Sequence, residues 1–167
     1  MNAPPQIEQR DAHPYAAVRL QVPIPFGKFL NPAWGKVKQW LARQGLTHGP
    51  AIMRYLTTDM SAKLDIDVGF AIDQAIPGGD GVLTDMLPAG QYATLTYIGS
   101  YRGKGVYKAN VEIIEWAKAN GVVWDTSDKD GVEWWKSRVE WYFNDPALDP
   151  DPKKYKTELT FMVRENG

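Results

Sequence analysis

Two segments of this chain recur at almost one spacing, and that repetition restricts the fold more than any other feature. Tyr15-Ala-Ala-Val-Arg-Leu20 resembles Tyr92-Ala-Thr-Leu-Thr-Tyr97, 77 residues on. Gln39-Trp-Leu-Ala-Arg-Gln-Gly45 resembles Glu115-Trp-Ala-Lys-Ala-Asn-Gly121, and the two glycines are 76 apart. The first pair alternates with period two and reads as strands, with Ala16, Val18, Leu20 and Val22 on one face. The second pair reads as helix ends, with Gly45 and Gly121 just past the last turn, where a left-handed backbone costs glycine little.

Around these anchors the chain spells strand, helix, strand, strand, twice. The first helix offers Trp34, Val37, Trp40 and Leu41 as its apolar face. The second offers Val111, Ile114 and Ala117, with Ile113 and Trp116 beside them. Strand candidates follow at 51–56 and 64–72 in the first half, and at 138–143 and 157–163 in the second. An extra strand is expected at 82–86. The whole chain, 1–167, is read as one domain with half-repeats of approximately 5–76 and 80–167. The expected class is α+β: a curved antiparallel sheet, two helices on one face, and a ligand cleft at the pseudo-dyad on the other. Asp65 and Glu158 are read as matching places in the last strands, solvated or paired.

Composition narrows the chemistry. The chain has no cysteine, which excludes disulfides and thiolate sites, and only two histidines, His13 and His48, so no metal site is expected. There are 19 basic against 20 acidic residues, and the densest basic cluster is Lys153, Lys154 and Lys156. That balance argues against a phosphate-gripping nucleic-acid surface, and no direct nucleic-acid binding is expected. No phosphate loop, dinucleotide fingerprint or Ser-His-Asp arrangement appears, so no cofactor is expected. No segment nears the length of an apolar membrane span, and a cytoplasmic location is expected. Seven Trp, eight Tyr and five Phe are more rings than a chain of this size ordinarily carries. They fill cores, and they also line pockets for flat or cationic molecules.

One ordered set of motifs points to a family. Leu87-Pro-Ala-Gly-Gln-Tyr-Ala93, Gly99-Ser-Tyr101, Val139-Glu-Trp-Tyr-Phe-Asn-Asp-Pro146 and Thr157-Glu-Leu159 together resemble the GyrI-like small-molecule-binding family. That family includes effector-binding domains of multidrug-responsive activators, free-standing proteins linked to gyrase inhibition or toxin resistance, and hydrolases of cyclopropane-bearing natural products. The resemblance implies a duplicated fold with its ligand between the halves, and it places the motif glutamate, here Glu140, inside that site. It implies three functions: binding of aromatic or cationic molecules for sequestration, sensing or resistance; hydrolysis of an electrophilic ligand by Glu140 and Tyr142; or inhibition of a protein partner. The segment 122–136, with Trp124, Trp134 and Trp135, is richer in tryptophan than the family's usual connection.

The residues themselves supply a candidate site. Glu140 and Tyr142 are two apart on a strand and share a face, leaving Val139, Trp141 and Phe143 for the opposite face, read here as the helix-packed one. Aligning Tyr55 with Tyr142 sets Met53 against Glu140. Tyr101 follows a glycine turn before the second helix, placed to present its hydroxyl to the cleft. The candidate ligand-binding set is Met53, Tyr55, Tyr101, Trp124, Trp134, Glu140 and Tyr142. The competing reading leaves Glu140 on a solvated face or paired with Arg54.

Overall fold

A computed structural model describes residues 2–58 and 63–165. Its main sheet has eight antiparallel strands. In chain order they are β1 (Gln6–Arg10), β2 (His13–Val22), β3 (Ala51–Tyr55), β4 (Leu64–Ala71), β5 (Leu83–Leu87), β6 (Gly90–Ile98), β9 (Arg138–Tyr142) and β10 (Lys156–Met162). The intervening β7 (Thr126–Lys129) and β8 (Val132–Trp135) form a separate hairpin from the Trp-rich segment. Helix α1 spans Leu30–Arg43 and α2 spans Gly105–Ala119. Pro32 sits in the first turn of α1, where its missing N–H leaves no bond unmade. Gly45 and Gly121 follow the two helices with φ of 72° and 67°, the left-handed conformation their positions predict.

The strand order β1-β6-β10-β9-β3-β4-β2-β5 is a palindrome of equivalent elements. Each half lends its lead strand to the other: β1 pairs with β6, and β5 with β2. The exchange keeps register, since Gln6 faces Thr94 while Leu83, 77 residues after Gln6, faces Ala17, 77 before Thr94. Tyr15 and Tyr92 occupy β2 and β6, and Trp40 and Trp116 occupy α1 and α2, as duplication requires. The two halves meet at β3–β9, where Met53 faces Glu140 on the dyad. The lead strand β1 and the β7–β8 hairpin were not expected from the sequence. β1 is polar and lies at a sheet edge, so it carries little apolar periodicity.

The sheet curls strongly. His13 of β2 meets Trp141 of β9, three strands away, with ring centroids 5.7 Å apart. The inside of the curl therefore carries Tyr15, Ile52, Arg54, Asp67, Val139 and Trp141, packed on one another with no helix over them. Both helices cover the outer face. Ala33, Val37, Trp40 and Leu41 of α1 pack on Val22, Ile66, Phe70 and their neighbours. In α2 the buried stripe is Ala109, Ile113 and Ala117. That corrects the expected face, because Val111 is exposed and Ile114 and Trp116 are only partly buried. Two alanines in the stripe let α2 approach the sheet closely, a gain in packing that apolar periodicity alone does not reveal.

Register also corrects the pairing of acids. Arg19 faces Asp67, and Thr96, 77 residues after Arg19, faces Glu158, so Asp67 and not Asp65 is the partner of Glu158. The error is one pleat, which preserves the face and so escapes a period-two reading. Both acids are held by arginines, Asp67 by Arg19 at 2.7 Å and Glu158 by Arg10 at 2.8 Å.

Candidate functional site

Glu140 projects from β9 on the helix-bearing face, between α1 and α2. Tyr142 donates its hydroxyl hydrogen to the carboxylate in a short contact, and the Asn110 side-chain amide of α2 donates to it at 3.1 Å. Tyr55 of β3 lies against the same group. Around this floor stand aromatic rings. Trp34 of α1 and Tyr101 of the β6–α2 loop each meet Tyr142 edge-on, with centroids 5.8 Å and 5.3 Å away. Met53 packs beside Tyr142 from across the dyad.

The face assignment made from sequence is thus reversed. Glu140 and Tyr142 do share a face, but it is the one the helices cover, and Val139 and Trp141 lie inside the curl. Alternation tells which residues go together and is silent on which side a helix takes. Tyr101 brings its ring, not its hydroxyl, to the site. That hydroxyl accepts from the Asn144 backbone N–H at 2.9 Å and pins the 144–156 connection. Arg54 is not the partner of Glu140, since it sits on the opposite face, donating to Tyr15 and to the Lys136 carbonyl.

Trp124 and Trp134 do not join this cluster. Trp124 packs on Trp135 and Phe161 beneath α2. Trp134 turns to the other side of its hairpin, over Lys129. Of the consecutive tryptophans it is Trp135 that points inward, 6 % exposed. Sequence reasoning passed over Arg138, Asn110 and Trp34. Arg138 was legible, being two residues before Glu140 on the same strand. Asn110 was not, because only the docking of α2 brings it to β9.

Burial pushes the Glu140 carboxyl up from its ordinary value, against the opposing pull of Tyr142, Asn110, the Arg138 charge and Tyr55. Burial beside that carboxylate also drives the Tyr55 and Tyr142 hydroxyls well up. A carboxyl whose folded pKa is raised is protonated more readily in the fold than in the unfolded chain. Its ionised form therefore costs stability, increasingly so as pH rises from the ordinary ~4.3 through the folded value. Glu140→Gln cannot ionise, so its melting temperature relative to wild type should climb between pH 4 and pH 7, by on the order of a few degrees. Paired thermal melts across that range check this, and a difference independent of pH would contradict it.

A concavity of about 220 Å³ lies on the other face, lined by His13, Leu87, Tyr92 and Trp141 among others. Arg10 and Asp11 stand at its edge, and Arg10 is already engaged by Glu8 and Glu158. At the dyad a carboxylate 5 % exposed lies beside aromatic rings from both halves.

A duplicated, curled antiparallel sheet gripped by two helices is the fold of a class of small-molecule-binding domains. The chain belongs to the GyrI-like small molecule binding domain family, which it matches over residues 3–164. Solved structures agree on the fold. The EcmrR C-terminal domain superimposes with a TM-score of 0.74 at 18% identity, covering 97% of this chain and 98% of that one. EcmrR in a complex with DNA gives 0.74 at 17%, covering 99% of this chain but 58% of that longer one. SAV2435 bound to tetraphenylphosphonium gives 0.62 at 14%, covering 97% and 94%. No curated protein matches in sequence. No helix among the described residues is long and apolar enough to cross a membrane.

Proposed function

We propose that this chain binds small aromatic molecules in the cleft between α1 and α2, for sequestration, sensing or resistance. The observation that carries the reading is the Glu140 carboxylate, buried on the dyad against Tyr55 and Tyr142, with Trp34 and Tyr101 edge-on to Tyr142. Folding alone gains nothing from ionising an acid there, and residues held at a cost to stability cluster at functional sites. The family's description, and a neighbour seen with a phenyl-bearing ligand, support it. Binding requires the rings over Glu140 to part, which side chains resting edge to face on one another can do by changing rotamer.

A thermal-shift screen of flat aromatic compounds tests the reading, since a specific ligand raises the melting temperature with its affinity. A hit that donates a hydrogen bond to Glu140 should bind Glu140→Gln about 1.5–3 kcal/mol more weakly, tenfold or more. Isothermal titration measures the change, and equal affinities would count against the cleft. One observation favours a second reading, hydrolysis of an electrophilic ligand. A carboxyl lifted by burial, with a tyrosine hydroxyl on it, is suited to exchanging a proton with water. For a hydrolase the same variant would still bind while losing orders of magnitude in turnover.

A further inference from the structure

Glu140 is not the only charge at the floor of the cleft. Arg138 shares its face of β9, and its guanidinium carbon lies 4.4 Å from the ring centroid of Phe161, 4.7 Å from Trp135 and 5.6 Å from Tyr55. Asn110 spans the two charges. Its amide nitrogen donates to Glu140 at 3.1 Å, and its amide oxygen accepts from Arg138 Nη2 at 3.2 Å. Tyr55 and Tyr142 are neutral phenols at pH 7, and Glu133, which also acts on Arg138, is exposed on the hairpin. With Glu140 ionised, the charge of the half-buried Arg138 offsets it.

A lone carboxylate in such surroundings draws a cation. This one is already balanced, by a guanidinium that stays protonated in proteins. An incoming positive charge would meet Arg138 with little water to screen it. Arg138 Nε is meanwhile buried without a hydrogen-bond partner, and an N–H of that kind can be satisfied only by an acceptor.

We propose that Arg138 sets the specificity of the cleft, selecting uncharged aromatic molecules that bring a hydrogen-bond acceptor to its Nε–H and disfavouring aromatic monocations. The proposal rests on the binding reading of the cleft given above and replaces the cation expected from Glu140 alone. Triphenylphosphine oxide and tetraphenylphosphonium make a suitable pair of probes. Both present phenyl groups on phosphorus, one with a neutral acceptor oxygen and one with a positive charge. By isothermal titration, wild type should bind the oxide at least tenfold more tightly than the phosphonium. Arg138→Met, which keeps length and removes charge and donor, should bind the phosphonium at least tenfold more tightly than wild type does, and the oxide more weakly. A wild type that prefers the phosphonium overturns the proposal, whether or not the variant folds. So does a folded variant with both affinities unchanged. Failure of wild type and variant to bind either probe would remove the cleft reading itself, and this proposal with it.

Discussion

Gly69→Ala should leave little or no folded protein. Gly69 is in β4 opposite Ala17. A Cβ there would lie 1.8 Å from the Ala16 carbonyl oxygen and 2.6 Å from the Ala17 Cα, both backbone atoms. No rotamer change relieves such a contact, so β2 would have to move away from β4. That movement breaks the ladder these strands share and the bond from the Trp34 indole to the Gly69 carbonyl, at 3.0 Å. The expected loss is more than about 4 kcal/mol, a large share of a domain's total stability. Gly35→Ala is the matching control. Gly35 lies inside α1 with no atom near its missing Cβ, and alanine there should stabilise the helix by roughly 0.5–1 kcal/mol. Urea denaturation of the two variants beside wild type should move the midpoint in opposite directions. A Gly69→Ala protein that unfolds near the wild-type midpoint would show that the curl does not depend on this close approach.

Asp67→Ala should cost about 3–5 kcal/mol. Asp67 is fully buried and accepts from the Tyr15 hydroxyl at 2.6 Å and from Arg19 at 2.7 and 2.9 Å. Tyr15 in turn accepts from Arg54, itself 8 % exposed, at 2.9 Å. Removing the carboxylate leaves a buried phenol without its acceptor and a buried guanidinium with only the exposed Asp85, 4.0 Å away, to balance it. Arg19→Met should cost less, because half of the Arg19 side chain is in water and Tyr15 still donates to the acid, with Arg54 one hydrogen bond further on. The ratio of the two losses, read from thermal melts, is the informative quantity. Similar losses would mean that the ion pair and not the buried tyrosine carries the network.

These two sites bear on function through geometry. Gly69 and Asp67 lie in β4, which pairs with β3, and β3 in turn pairs with β9 at Met53 and Glu140. Asp67 does not touch the cleft, and Gly69 meets it only through its carbonyl, which accepts from the Trp34 indole. Both should therefore affect ligand binding through folding, whereas Arg138 and Glu140 should affect it with the fold intact.

Much of the architecture was legible because duplication writes it twice. The strand and helix pairs recur at offsets of 77 and 76, and the glycines after the helices mark their ends by conformation. The Glu140–Tyr142 pairing and the Met53–Glu140 opposition were legible for a related reason, since strand period and repeat alignment are both one-dimensional. The edge strand β1 and the β7–β8 hairpin were not, because a strand that packs few apolar side chains leaves no strong pattern. Trp124 and Trp134 show the limit of reading composition. Tryptophan in quantity suggests a pocket, yet Trp124 packs in the core beneath α2 and Trp134 lies against its own hairpin.

By itself the sequence determined the two-fold plan, the elements within it, and which residues of each strand share a face. These depend on local geometry: a pleat of two, a helical turn of 3.6 and the few conformations a glycine permits. Tertiary structure decided which face the helices cover, and therefore that Glu140 lies beneath them and Trp141 inside the curl. It decided that Asn110 bridges Glu140 and Arg138, and that Asp67 and not Asp65 is the buried acid. Those outcomes turn on contacts between segments tens of residues apart, where close packing of whole surfaces selects one arrangement among several with the same pattern.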